Sequence, residues 1–363
     1  MSSLSRLLNI RYPIVQSGMG RVAGPELAAE VSKAGGLGIL AGLNSSPDDL
    51  RRDVRTIRAL TDAPFGVNLW LLPELQPPVD PSTLQRDDVR AVNSVLNRAR
   101  RAVSVAESDA APPRRPDWLN DAIEVVLEER VPVWSVGLGL PSADLVARCH
   151  ERGVHVMCMV ANVDDARAAD MAGSDIIVAQ GAEAGGHRSV WRSDARADVG
   201  TLSLVPEVVD AVKAPVVAAG GIADGRGLVA ALALGASGVL LGTRFVATKE
   251  SMAPEFWKRA ILESSSDRTT VTRAFTGLSA RVIRNRFQQE YEASRAPVLP
   301  GLLQSALEQP IWRAATDQGN AEYFPLYAGQ SVGVIHDLPS AADVVRSIAA
   351  EADAIVKGLG SRE

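Results

Sequence analysis

Several features that would point to a specialised class are scarce or missing. The 363 residues include only two cysteines, Cys149 and Cys158. They are not spaced Cys-x-x-Cys, and no His-Cys cluster suggests zinc. Low cysteine use fits a reducing cytoplasm, and Cys158, inside an apolar run, reads as a small buried hydrophobe. Positive charge is not in excess: 38 Lys and Arg face 43 Asp and Glu, for a formal net charge of −5. No basic stripe of the kind a phosphate backbone needs is present, so nucleic acid is a poor partner. Long apolar runs are also missing. The longest uncharged stretch, Gly227 to Thr243, is short for a membrane span and is broken by Gly235 and Gly238. The N-terminal residues show no apolar targeting core and no small-residue cleavage site. A cytoplasmic protein without a membrane partner is expected. Internal repeats and low-complexity segments are absent.

Apolar residues make up 46% of the chain, enough for a sizeable core. The length suits one large α/β domain or one with a smaller appendage. Short, continuous aliphatic runs alternate with helical patterns. Strands are expected at 13–16, 37–40, 65–69, 133–137, 154–160, 175–179, 215–218 and 238–241. They lack period-2 alternation, as parallel strands buried on both faces do. Helices fall between them. One begins at Pro25 and stops at Gly35-Gly36; others end at Gly153, Gly173 and Gly235, and Asp224 caps the last. Eight strand–helix units predict a (β/α)₈ TIM barrel over residues 1–250, with an open doubly wound sheet as the structural alternative. Two segments break the alternation. Residues 73–116 form a proline-led insertion with a polar helix over 84–107, either a lid near the site or a solvated helix on the barrel wall. Residues 251–363 are expected to form a small, mostly helical capping subdomain over the barrel mouth.

Chemistry in such a barrel sits at the C-terminal strand ends, and the motifs fall there. Gln16-Ser-Gly18-Met19 follows the first strand and Asn68 closes the third. The sixth runs into Gln180-Gly-Ala-Glu183-Ala-Gly185-Gly186-His187-Arg188, the seventh into Gly220-Gly221, and the eighth into Gly242-Thr243. The last two loops occupy the usual phosphate position. Amides of Gly220, Gly221, Gly242 and Thr243 can converge on one anion, helped by the helix starting near Asp224–Gly225. Gly185 and Gly186 let backbone lie against a flat ring. Gln180 and Asn68 offer amides to a heterocycle edge, against the plain alternative of a buried amide satisfied by backbone. Of four histidines, only His187 adjoins a glycine-rich strand end. It is the candidate proton-transfer residue. Glu183 either acts as a nearby acid or binds loop amides.

Taken together these motifs resemble the nitronate monooxygenases, formerly called 2-nitropropane dioxygenases. The resemblance rests on Pro13-Ile-Val-Gln-Ser-Gly-Met19, Gly66-Val-Asn68-Leu69, the Gln180–Arg188 loop, Ala218-Ala-Gly-Gly-Ile-Ala-Asp-Gly225 and Leu241-Gly-Thr-Arg-Phe245. It continues in the tail through Arg284-Asn-Arg-Phe287 and Ala328-Gly-Gln330. It implies an FMN-dependent TIM-barrel enzyme that oxidises alkyl nitronates with O₂ to a carbonyl compound and nitrite. The FMN phosphate would lie on Gly220, Gly221, Gly242 and Thr243. Gly18, Met19, Asn68, Gln180, Gly185 and Gly186 would contact the flavin. His187 would position and neutralise the anionic substrate, and act as a base for neutral nitroalkanes only. No metal is implied, and a homodimer is compatible with the sequence. The chain departs from the usual pattern in Gln16-Ser-Gly-Met19, where many relatives have Ala-Pro-Met, and in Trp191-Arg-Ser-Asp194. Rival expectations are an FMN-dependent NAD(P)H reductase, of the enoyl-acyl-carrier-protein or quinone type, and a non-catalytic flavin-binding barrel. A phosphosugar barrel would share the phosphate loops but want a lysine or paired carboxylates at the mouth.

Overall fold

The computed structural model describes residues 2–191 and 197–361. Eight parallel strands run in barrel order: β1 (Ile14–Gln16), β2 (Gly38–Ala41), β3 (Phe65–Leu69), β4 (Val133–Val136), β5 (His155–Val160), β6 (Ile176–Gln180), then β8 (Val216–Ala219) and β9 (Gly238–Leu241). β9 pairs with β1, and a parallel bridge between Val15 and Leu37 joins β1 to β2, so the sheet closes on itself. Each expected strand is present within a residue of its expected ends.

Closure explains the continuous aliphatic runs. Along each strand alternate side chains enter the barrel or face the helices, and both sides are dry. Val15, Ile39, Met157, Val178, Val217 and Leu240 fill the interior, where Leu4 and Leu8 of the N-terminal helix also pack. Ile14, Leu40, Val156, Ile177, Val216 and Val239 pack outward in the larger cluster with the helices. Towards the C-terminal end, buried Asn68, Ser135 and Gln180 follow the apolar layers. That change from aliphatic to amide and hydroxyl marks the functional end.

The two irregular segments differ from expectation. The insertion helix, Arg86–Ala102, is not merely a solvated cover, since one face of it is buried. It packs on helices Arg286–Ser294 and Leu303–Asp317 of the tail. Buried Arg100 fixes it there, donating to Asn93 Oδ1 (3.0 Å), Asn97 Oδ1 (2.7 Å) and the carbonyls of Ser108 (3.0 Å) and Leu307 (3.3 Å). The tail also contains a hairpin, β10 (Thr269–Thr272) and β11 (Ala280–Ile283). β11 pairs with a two-residue strand, β7 (Gly186–His187), so the tail grips the histidine loop itself. The final helix, Ala341–Gly360, returns to the barrel and packs on Gly225–Ala233 and Pro25–Lys33. We infer a division in which the cap comprises the insertion helix and the tail up to about residue 338, with the last helix completing the barrel's outer ring in place of the expected boundary at 251–363. No described helix is long and apolar enough to cross a membrane. Of the Trp191–Asp194 departure, Arg192 to Asp194 lie outside the described residues.

Candidate active site

The sequence-selected residues gather at the barrel mouth through direct contacts. A Cβ added to Gly18 would lie 2.4 Å from Asn68 Cβ, so the β1 loop presses directly onto the end of β3. Met19 reaches across to β9: its Sδ would be 3.4 Å from a Cβ on Gly242. Gly181 N donates to Ala219 O (2.8 Å), joining the β6 and β8 ends. Thr243 Oγ1 accepts from Gly329 N (2.9 Å), and Gln330 N donates to Glu183 O (2.9 Å), so the Ala328-Gly-Gln330 segment straps the mouth.

The two buried amides are engaged by the protein. Asn68 Nδ2 donates to Ser135 O and Oγ, both at 3.1 Å, leaving its Oδ1 without a donor among the described residues. Gln180 staples the histidine strand: its Nε2 donates to His187 O (3.1 Å) and its Oε1 accepts from Ser189 N (2.9 Å). The glycine pair divides its duties. Gly185 has no room for a Cβ, which would fall 2.4 Å from Gly329 N, whereas the Cβ direction of Gly186 meets nothing within 4 Å. Gly186 therefore offers open space over its backbone, and Gly185 is small because the tail crosses it.

The phosphate candidates present free amides. Among the described residues, the amides of Gly220, Gly221 and Gly242 donate no hydrogen bond. Gly221 is exposed and Gly220 and Gly242 are half-buried, so these three amides at adjacent strand ends are open to an anionic acceptor from the mouth. Gly221 also has room on its open side; its nearest neighbour in the Cβ direction is Glu183 Cβ at 3.4 Å. The expected help from the Gly225–Ala233 helix is not available. Asp224 Oδ1 already accepts from Arg226 N and Gly227 N, and Glu351 Oε2 accepts from Gly225 N at 2.8 Å. Two carboxylates occupy that helix start, and a third anion there would be repelled.

Glu183 takes the amide-binding role. Both its oxygens accept from Thr201 N (3.0 and 2.9 Å), and Oε2 also accepts from Thr201 Oγ1 (2.9 Å), which caps the Thr201–Ala211 helix. Beneath the loop, buried Arg188 donates to the carbonyls of Gly181 (3.2 Å), Ala182 (3.1 Å), Gly186 (3.3 Å) and Ala184. Burial, with repulsion from Arg281, lowers its pKa to about 10, so it stays a cation at neutral pH.

His187 is held from three sides by residues that sequence reasoning missed. Its Nε2 shares a 2.9 Å hydrogen bond with Thr276 Oγ1. Trp70 meets the ring edge-on at 4.9 Å between centroids, and Tyr327 lies at 5.4 Å. Nδ1 makes no hydrogen bond to described residues and is left for a ligand. The ring keeps a partly accessible face, yet atoms surround it closely enough for burial to dominate its titration. Burial first, and then the Arg188 charge, lower its pKa to about 4. The imidazole is therefore neutral at pH 7. A neutral ring would meet an anion by hydrogen bonding and not by the expected charge neutralisation. Between pH 4 and 6.5 the unfolded chain binds the proton and the fold does not, so this group's contribution makes stability fall as pH drops through that window. With four histidines in the chain, proton NMR resolves the point. The resonance lost in His187→Asn should not titrate between pH 8 and 5; a midpoint near 6.5 would refute the neutral ring.

Three comparisons bear on this arrangement. The family model for nitronate monooxygenase matches residues 1–351. A probable nitronate monooxygenase of Staphylococcus saprophyticus is 37% identical over 356 residues, covering 96% of this chain and 97% of that protein. One from Staphylococcus aureus is 36% identical over 330 residues, covering 90% and 91%. Among solved structures, nitroalkane oxidase from Streptomyces ansochromogenes superposes with a TM-score of 0.88 at 37% identity, covering 99% of this chain and all of that one. FabK from Thermotoga maritima gives 0.78 at 34% identity, covering 100% and 99%. With a family match over nearly its whole length and the barrel-mouth geometry in place, the chain belongs to the nitronate monooxygenase family of flavin-dependent oxidoreductases.

Proposed function

We propose that this protein binds FMN and oxidises alkyl nitronates with O₂ to a carbonyl compound and nitrite. The observation favouring nitronates over neutral nitroalkanes is the state of His187. A base with pKa of about 4 is poorly matched to removing a carbon-bound proton at neutral pH, and a nitronate has already lost that proton. Arg188 keeps a positive charge beneath the same loop, which favours an anionic substrate.

The chain's residues fit the cofactor. Gly220, Gly221, Gly242 and Thr243 would hold the phosphate through backbone amides, and the open face at Gly186 would take the ring. Asn68 Oδ1 would accept from its pyrimidine edge; Gly18 and Met19 would form the adjoining wall, while Gln180 and Gly185 act through the loop they shape. When bound, FMN supplies the electron acceptor and the reaction with O₂.

His187 has two tautomers and hence two uses. With Nε2 accepting from Thr276, Nδ1–H donates to a nitronate oxygen. With Nε2–H donating to Thr276, the Nδ1 lone pair receives a proton from a neutral nitroalkane, slowly because the ring is so weakly basic. Trp70 and Tyr327 hold the ring in place and leave one face partly accessible.

Nitrite release tests the proposal. Incubating the flavin-loaded protein in air with an alkyl nitronate should yield nitrite in step with nitronate consumed. Turnover of NAD(P)H in place of nitronate would move the protein to the reductase reading.

A further inference from the structure

Arg21 is a cation at the barrel mouth without a counter-ion among the described residues. It lies in the loop after β1, the loop that carries Gly18 and Met19. Its φ is +63°, in the left-handed region where non-glycine residues are uncommon. Such strain persists only where surrounding structure enforces it. The guanidinium lies 5.0 Å from the ring centroid of Trp312, a buried residue of the Leu303–Asp317 helix. This contact joins the barrel loop to the cap. Among the described residues Arg21 has no ion pair and no hydrogen bond, and the residue is exposed although its guanidinium is partly packed. Its charge acts on the Tyr327 phenol, whose ring borders His187. Burial first, opposed by Tyr327 and joined by repulsion from Arg313, lowers the pKa of the guanidinium.

A strained backbone, an aromatic platform and a planar fork of unused N–H donors describe a site held ready for a planar oxyanion. We propose that Arg21 determines specificity for the anionic nitronate over its neutral nitroalkane form by pairing with the nitronate oxygens at the entrance to the site. This rests on the nitronate reading above. Trp312 keeps the guanidinium in place without neutralising it, so the charge remains available to an incoming anion. Because the residue is exposed at the mouth, part of its effect acts at a distance and weakens as salt rises.

The test compares Arg21→Met and Arg21→Lys with the wild type, all flavin-loaded. kcat/KM is measured for one alkyl nitronate and for its neutral nitroalkane over a range of ionic strength. The ratio of nitronate to nitroalkane kcat/KM should fall about tenfold in Arg21→Met, the size of one lost charge-assisted contact, chiefly through KM. Salt dependence should flatten, and Arg21→Lys should restore part of both. Equal losses on the two substrates, or an unchanged nitronate value, would overturn the proposal. Calorimetric titration with nitrate, an inert planar oxyanion, separates this inference from the function. Nitrate binding should weaken about tenfold in Arg21→Met. Nitrate that fails to bind the wild type, or binds all variants alike, overturns the role of Arg21 even if nitronate is turned over. Binding that depends on Arg21 in a protein without nitronate turnover keeps the anion site and removes the proposed function.

Discussion

Gly221→Asp is expected to give a folded but colourless protein. Gly221 lies at the end of β8 with φ +72°, and its amide donates to no described acceptor. The new carboxylate would enter the space assigned to the phosphate and would also approach Glu183, whose Cβ is 3.4 Å from the added Cβ. Two like charges about 4 Å apart at an effective dielectric near 20 repel by about 4 kcal/mol, or roughly a thousandfold in affinity. Gly221→Ala separates charge from backbone. A left-handed alanine costs roughly 1–2 kcal/mol, so flavin affinity should fall only about tenfold. Flavin-to-protein absorbance ratios and reconstitution titrations measure both, and circular dichroism checks the fold. Full flavin occupancy in Gly221→Asp would place the phosphate elsewhere.

His187→Asn is expected to split the two substrate forms. Asparagine keeps a short polar side chain on β7 and leaves the glycine loops untouched, so flavin should remain bound. Loss of a general base costs about 10²–10⁴ in rate, and that loss falls on neutral nitroalkanes. Nitronate oxidation loses one hydrogen bond from a neutral donor, worth about tenfold at most. Steady-state kinetics on both forms at one pH makes the comparison. Equal activity of variant and wild type on both would remove His187 from the chemistry. An equal, large loss on both would mean that the ring does more for the anion than donate one hydrogen bond.

The barrel was legible because its signal is local. Aliphatic strands, proline-led helix starts and glycine stops recur along the chain, and β6, β8 and β9 end within a residue of expectation. The candidate site was legible to the extent that a motif adjoins a strand end, which gave His187 and the glycine loops. The rest of the site depends on distant pairings. Thr276 is 89 residues from the ring it bonds, and no local pattern marks it. Tyr327 directly precedes the Ala328-Gly-Gln330 motif, but only the strap through Gly329 and Gln330 brings it to the mouth. The phosphate role given to the Gly225–Ala233 helix failed because Glu351, 126 residues on, takes its first amide. The same long-range packing returned the final helix to the barrel and joined the insertion to the cap through Arg100. The charge state of His187 follows from burial, which a sequence motif does not display.

The most direct test of nitronate oxidation is an anaerobic absorbance spectrum of the purified protein, before and after an alkyl nitronate, with NADH added to a parallel sample. A yellow protein bleached by the nitronate and not by NADH, releasing nitrite once air is admitted, is the predicted result. Bleaching by NADH alone would contradict the oxidase chemistry while leaving the flavin site standing, and a colourless protein that cannot be reconstituted with FMN would contradict the cofactor assignment itself.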